Sequence, residues 1–260
     1  MDGFSLFGLE IKFYGLIMAT AMLVGYFVAC KLAKKRGIDS NDVLTLAIIV
    51  LPLAVLGARI YYCIFSGYSY TFLEFIGFEN GTFAIRGLAI YGGVIGGFVG
   101  VLIFCAIKKS FRILPVLTDI LVPVLILGQA MGRWGNFFNQ EAYGYAVTNS
   151  SLQWFPFAVL IDGEGWHLAT FFYESMWNLI GFAVLLVIFF KYKTPGITTA
   201  SYLIFYGLGR VLIEGLRTDS LYLWNSSIRV SQLLSAILIL VGCVIMVLVA
   251  VNKRKKRSIK

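Results

Sequence analysis

Apolar stretches of roughly twenty residues recur along this chain, separated by polar segments. At a helical rise of about 1.5 Å per residue, twenty residues cover the ~30 Å hydrocarbon core of a bilayer, so each stretch predicts a membrane-spanning helix. Seven are expected: about Phe13–Leu32, Val43–Phe65, Ile85–Ile107, Leu114–Met131, Leu168–Phe190, Thr198–Leu216 and Val230–Val251. Pro52 interrupts the second, the third is glycine-rich (GLAIYGGVIGGFVG), and the fourth holds Asp119 and Pro123. Between the second and third, residues 66–84 carry Glu74, Glu79, Tyr68, Tyr70 and further aromatics, suited to lying along the membrane interface. The longest polar excursion runs from about Gly132 to His167. The pattern predicts one all-α polytopic membrane domain over residues 1–260, with a basic tail at 252–260.

That excursion opens with Gly128–Gly144, GQAMGRWGNFFNQEAYG, which sets Arg133, Asn136, Asn139, Gln140 and Glu141 among aromatics. Gly132 and Gly135 bracket Arg133, as at a helix end where the chain turns or approaches another surface. A charged, amide-rich segment at the edge of an apolar span reads as a polar site at membrane depth.

Composition narrows the class. The chain is 59% hydrophobic and only 13% charged, which excludes a soluble domain. Cys30, Cys63, Cys105 and Cys243 are scattered through apolar runs without a CxxC pair and read as packing residues, not as a metal or disulfide framework. The N-terminal segment carries Asp2 and Glu10 and no basic region, unlike a cleavable signal peptide. The net charge of +9 is concentrated in Lys31, Lys34, Lys35, Arg36, Lys108, Lys109, Arg112, Lys191, Lys193 and the tail, all on one side of the alternating spans. That distribution predicts an outside N-terminus and a cytoplasmic C-terminus, with contacts to anionic membrane lipids, and gives no support to nucleic acid as a partner. Tyr14, Tyr91, Arg133–Gly144 and Arg217–Asp219 then all fall towards the outer leaflet.

The sixth span places Tyr206, Arg210, Glu214 and Arg217 on one helical face. Arg210 lies roughly 10 Å deeper than Arg217, where an arginine needs a paired acid or a polar cavity, and Glu214 can serve as partner. The stripe is either a structural Arg–Glu pair or an anion clamp, since the guanidinium fork suits phosphate. Arg133 with Glu141 makes a second cation–acid pair on the same side. Asn136, Asn139 and Gln140 can bond ester or glycerol oxygens, or cap a broken helix end. His167, the only histidine, is either an interfacial hydrogen-bonded residue or a base. Tyr173 and Glu174 begin the fifth span with another acid. Asp119 reads as a tether or helix cap; Arg59 and Arg86 either line the cavity or snorkel. Glycines 92, 93, 96 and 97 allow close helix packing or lipid approach. No Ser/His/Asp order, HExxH or P-loop supports hydrolase or nucleotide-driven chemistry.

The run GRWGNFFNQE from Gly132 to Glu141, followed by Tyr143–Gly144, closely resembles the diagnostic motif of bacterial prolipoprotein diacylglyceryl transferases. Phe13-Tyr14-Gly15, Gly57-Ala58-Arg59, His167 through Tyr173-Glu174, and Tyr206-Gly207 with Arg210, Glu214 and Arg217 resemble further motifs of that family in its order. Two positions depart: Tyr91 stands where the family often has a histidine before Gly-Gly, and Leu168 where a proline follows His167. The resemblance implies transfer of the diacylglyceryl group from phosphatidylglycerol to the lipobox cysteine of preprolipoprotein signal peptides at the bacterial cell membrane, the first step of lipoprotein maturation. The products are a thioether and glycerol phosphate. The nucleophile is the substrate's thiol, and no metal or cofactor is required. For the chemistry of that reaction, Arg133 is expected to bind the lipid phosphate and Arg210 to stabilise the leaving group, Glu141 and Glu214 to orient these arginines with one of them open to the thiol proton, and Tyr91 to position the headgroup. Tyr14, Asn136, Asn139, Tyr206, Arg217, Arg86 and His167 complete the expected substrate-binding set. A transporter or flippase for an anionic lipid would use the same arginines but needs a polar path through both leaflets. A purely structural membrane protein leaves the amides at 136–140 unexplained.

Overall fold

The protein's computed structural model describes residues 3–6, 9–79, 82–83, 87–220, 222 and 229–258. A hairpin of β1 (Gly3–Leu6) and β2 (Leu9–Lys12) leads into α1 (Phe13–Lys35). Then come α2 (Ser40–Phe65), the short α3 (Phe72–Phe75), the two-residue strands β3 (Phe78–Glu79) and β4 (Thr82–Phe83), and α4 (Ile90–Ile107). A single 3-10 turn precedes α5 (Leu114–Asn139); the hairpin β5 (Ala158–Ile161) and β6 (Gly165–Leu168) precedes α6 (Thr170–Lys191), α7 (Ile197–Glu214) and α8 (Val230–Ser258). Six of these helices are long and apolar enough to cross a membrane, making this an all-α, multi-pass membrane protein. The expected sixth span is a helix, α7, but is not among those six, because Thr198, Thr199, Ser201, Tyr202, Tyr206, Arg210 and Glu214 interrupt its apolar sequence.

The helices divide into two compact units, residues 30–117 and residues 1–29 with 118–260. In the smaller unit α2 and α4 pack antiparallel through glycine: a Cβ on Gly92, Gly96 or Gly100 would run into Gly57 O, Leu53 O or the Val50 Cα, respectively. Spaced one turn apart, they let the two backbones touch. This is the dense-packing use of the glycine-rich span. Arg59, 5% exposed, donates to the carbonyls of Glu74, Phe75 and Gly87 and packs over the Tyr70 ring. It caps the α3 turn, whose own start is held by a Thr71–Glu74 capping box.

In the larger unit α1 runs antiparallel to α5, with Tyr14 against Gly135, Met18 against Gly132 and Gly25 against Val124. α7 lies between α6 and α8: Gly181 meets Phe205, Gly209 meets Trp177, and Gly207 of α7 and Gly242 of α8 let those two helices approach closely. Asp119, 0% exposed, accepts from Gly196 N, Thr199 N and Thr199 Oγ1, capping α7 from α5. Mid-depth, Val122, Ile126, Leu185 and Tyr202 form an apolar core beside the Gln129–Tyr202 hydrogen bond.

Candidate active site

Arg133 stands on helix, not at a helix end. α5 continues through Gly132 and Gly135 to Asn139, where Glu141 N bonds Asn136 O and Gln140 N bonds Phe137 O. This is a Schellman closure with Gln140 in the left-handed region, φ 50°, that glycine ordinarily fills. Gln140 is held there by two bonds to one residue: its Nε2 donates to Asp162 Oδ2 (2.6 Å) and its Oε1 accepts from Asp162 N (2.8 Å). The turn between β5 and β6 therefore fixes the end of α5. Gly135 serves a different purpose, since a Cβ there would overlap the Tyr14 ring.

The centre of the site is Glu174, the acid that opens the fifth expected span and to which the sequence assigned no role. It is 3% exposed. Its Oε1 accepts from Arg133 Nη2 at 2.7 Å and its Oε2 from Arg210 Nη1 at 2.8 Å; Arg210 Nη2 continues to Glu214 Oε2 at 2.5 Å. Two guanidiniums and two carboxylates from α5, α6 and α7 thus form one buried, charge-balanced chain, as burial of charge demands. Arg133 pairs with Glu174 rather than with Glu141, its expected partner. The Arg210–Glu214 pair on one face of α7 is present as expected. Tyr206, one turn below Arg210, stacks on Tyr202 with ring centroids 5.6 Å apart.

At the more open end, Arg133 Nη1 donates to Asn136 Oδ1 (3.2 Å). Asn136 Nδ2 and Asn139 Nδ2 both donate to Glu141 Oε1, at 2.8 and 3.2 Å. Arg133, Asn136, Asn139 and Glu141 thus form a second, exposed branch, with Tyr14 packed on the same turn of α5. The back of α5 is walled by Trp134, which donates to Ser175 Oγ and packs edge-on against Phe171 and Phe172.

His167 takes the hydrogen-bonded role. Its Nδ1 lies 2.8 Å from Gly144 O, and a carbonyl only accepts, so Nδ1 carries the proton. The segment after α5 runs beside β6, with an antiparallel bridge between Ala146 and His167: Gly144 N bonds Leu168 O, Leu168 N bonds Tyr145 O, and Val147 N bonds Trp166 O. The sequence pattern does not predict this β structure, because a period-2 signal over four-residue strands is too short to register. Gly144 also pairs with Arg217, and its Cβ would strike Leu168, Leu216 O and Thr170 within 2.9 Å. Arg217 grips Asp219 with Nε and Nη2, at 2.8 and 2.6 Å. Burial alone would raise the Asp219 carboxyl, but the bonds and charge of Arg217 outweigh it and hold it below the usual carboxylate range. Tyr145 N bonds Leu216 O, and Arg229 donates to Glu214 O and to Tyr145 Oη, tying the excursion to the end of α7.

Tyr91 belongs to the smaller unit, in the first turn of α4, with its ring 6.2 Å from that of Tyr61. Arg86 lies outside the described residues. Among the described residues, no three of His, Cys, Asp and Glu gather as metal ligands.

What the core of this site can do is hold an anion. Two guanidiniums reach the two oxygens of one carboxylate, a spacing that also matches two oxygens of a phosphate. A family model described as prolipoprotein diacylglyceryl transferase matches residues 3–248. The chain belongs to that family. Relatives within the prolipoprotein diacylglyceryl transferases resemble it from end to end. A phosphatidylglycerol–prolipoprotein diacylglyceryl transferase of Finegoldia magna is 43% identical over 260 residues, covering 99% of this chain and 96% of its own. One of Streptococcus suis is 44% identical over 259 residues (96% and 91%), and one of Clostridium perfringens is 39% identical over 264 residues (98% and 96%). As a member of that family, the chain is a transferase.

Proposed function

We propose that this protein transfers the diacylglyceryl group of phosphatidylglycerol to the lipobox cysteine thiol of a prolipoprotein, releasing glycerol phosphate. The observation that carries the reading is the placement of Arg133 and Arg210, from different helices, on opposite oxygens of Glu174. The lipid phosphate takes the place of that carboxylate between the two guanidiniums. A sulfur–carbon bond forms as the carbon–oxygen bond to the phosphate breaks, and the electron pair leaves on the phosphate oxygen. Arg133 and Arg210 stabilise the growing charge in a water-poor setting, where such donors act most strongly. Glu214 holds Arg210 in register. Glu141, exposed and with one oxygen outside its bonds to Asn136 and Asn139, takes the thiol proton as the more reactive thiolate forms. Asn136, Asn139 and Tyr14 line the headgroup's approach; Arg217 and His167 act from behind, by fixing the excursion.

The basic loops and tail set the N-terminus outside and the C-terminus in the cytoplasm, which puts this cluster towards the outer leaflet of the bacterial cell membrane. A lipid-translocating alternative has to pass the apolar core of Val122, Ile126 and Leu185 below the cluster. The test uses the purified full chain, labelled phosphatidylglycerol and a peptide bearing a lipobox cysteine. A lipidated thioether and free glycerol phosphate are expected, and Arg133→Ala and Arg210→Ala abolish both. Full activity in both variants removes the anion-clamp account.

A further inference from the structure

One buried polar group of the larger unit is not used by the chemistry above. Asn178 is 1% exposed, and neither its Oδ1 nor its Nδ2 meets a hydrogen-bond partner among the described residues. It occupies the inward stripe of α6, one turn below Glu174 and one turn above Gly181, whose neighbours are Ile126 of α5 and Phe205 of α7. An amide buried without partners is disfavoured in the fold, and an apolar residue of similar size fits this packing at lower cost. Its position supplies the reason for its presence. Residues four apart on a helix have Cβ atoms about 6 Å from each other, so the Asn178 amide and the Glu174 carboxylate share one face within side-chain reach.

Glu174 has the complementary problem. Both of its oxygens are committed to Arg133 and Arg210. A phosphate that takes those guanidiniums strips a carboxylate, itself nearly wholly buried, of its two charged donors, and an uncompensated buried charge opposes that exchange. We propose that Asn178 is a positioning residue for the transfer: a reserve donor that Nδ2 offers to Glu174 when the two arginines turn to the substrate's phosphate. The inference rests on the reading of Arg133 and Arg210 as phosphate ligands. Asn178 touches neither lipid nor thiol; it makes release of the arginines less costly.

The test is Asn178→Leu in the full chain, with Asn178→Ala beside it to separate any overpacking by leucine. Labelled phosphatidylglycerol is titrated into the protein in micelles of a neutral detergent, and thermal melting is followed in the same micelles without the lipid. Loss of a hydrogen bond to a charged group predicts lipid binding weakened roughly ten- to a hundredfold, with kcat/KM falling in parallel. Melting without lipid stays unchanged or rises in the leucine variant, which a structural role for Asn178 would not allow. In a Glu174→Gln background the same substitution changes lipid binding by less than about twofold, because no buried charge remains to be received. The proposal is overturned if the leucine and alanine variants bind lipid as the wild type does, or if their losses are equal with and without the Glu174→Gln substitution. Binding is read separately from transfer. A wild-type protein that binds the lipid yet forms no thioether counts against the transferase reading alone.

Discussion

Replacing Glu174 by glutamine removes one negative charge and one acceptor from between two guanidiniums. The amide has a single oxygen, so it keeps either Arg133 or Arg210 and turns an N–H towards the other donor. One charge-assisted bond, worth about 2 kcal/mol, is lost, and the survivor falls to about half its strength, a further ~1 kcal/mol. The expected cost is about 3 kcal/mol, at the lower edge of what breaking a buried ion pair costs, because Arg210 retains Glu214 and Arg133 retains Asn136. Melting of the full chain in detergent reads this cost. Turnover of labelled phosphatidylglycerol and a cysteine peptide reads the catalytic effect: kcat is expected to fall at least about a hundredfold, since the two arginines no longer share one geometry, while KM for the lipid does not rise. A variant that melts and turns over like the wild type would refute the idea that Glu174 holds the arginine pair.

Other expectations follow from single contacts. Gly135→Ala drives a Cβ into the Tyr14 ring; about 1–3 kcal/mol of overpacking and a loss of transfer activity are expected, with activity partly restored by Tyr14→Leu. Gln140→Ala loses both bonds to Asp162 while keeping its left-handed backbone, and should cost about 2 kcal/mol in melting; Gln140→Gly relieves the backbone and should cost about 1 kcal/mol less. The Asp219 carboxyl is depressed in the fold, so its ion pair with Arg217 contributes above the unfolded pKa and is lost as pH falls through the folded one. Melting of wild type and Asp219→Asn should therefore differ at neutral pH and converge in strong acid; a gap that persists there contradicts the ion-pair account.

Much of the site was legible because helical spacing is local. Tyr206, Arg210 and Glu214 fall on one face by their numbers alone, and Arg210 does pair with Glu214. Arg133, Asn136, Asn139 and Glu141 are close in sequence and close in space. The partner of Arg133 was not legible: Glu141 was the nearest acid along the chain, but α5 remains helical to Asn139 and directs Arg133 to Glu174, 41 residues away. A single acid near the start of an apolar helix was the available signal.

The sequence by itself determined that this is a multi-pass helical membrane protein, roughly where its spans lie, and which arginines lie too deep to be incidental. Those properties follow from hydropathy and helical period, which need no knowledge of neighbours. Tertiary structure alone decided which acid the two arginines share, that Gln140 is held in a glycine's conformation by a hairpin turn, and that Gly92, Gly96 and Gly100 serve helix contact. Each depends on groups brought together from distant segments, and a linear pattern does not specify which of several compatible partners a buried charge meets.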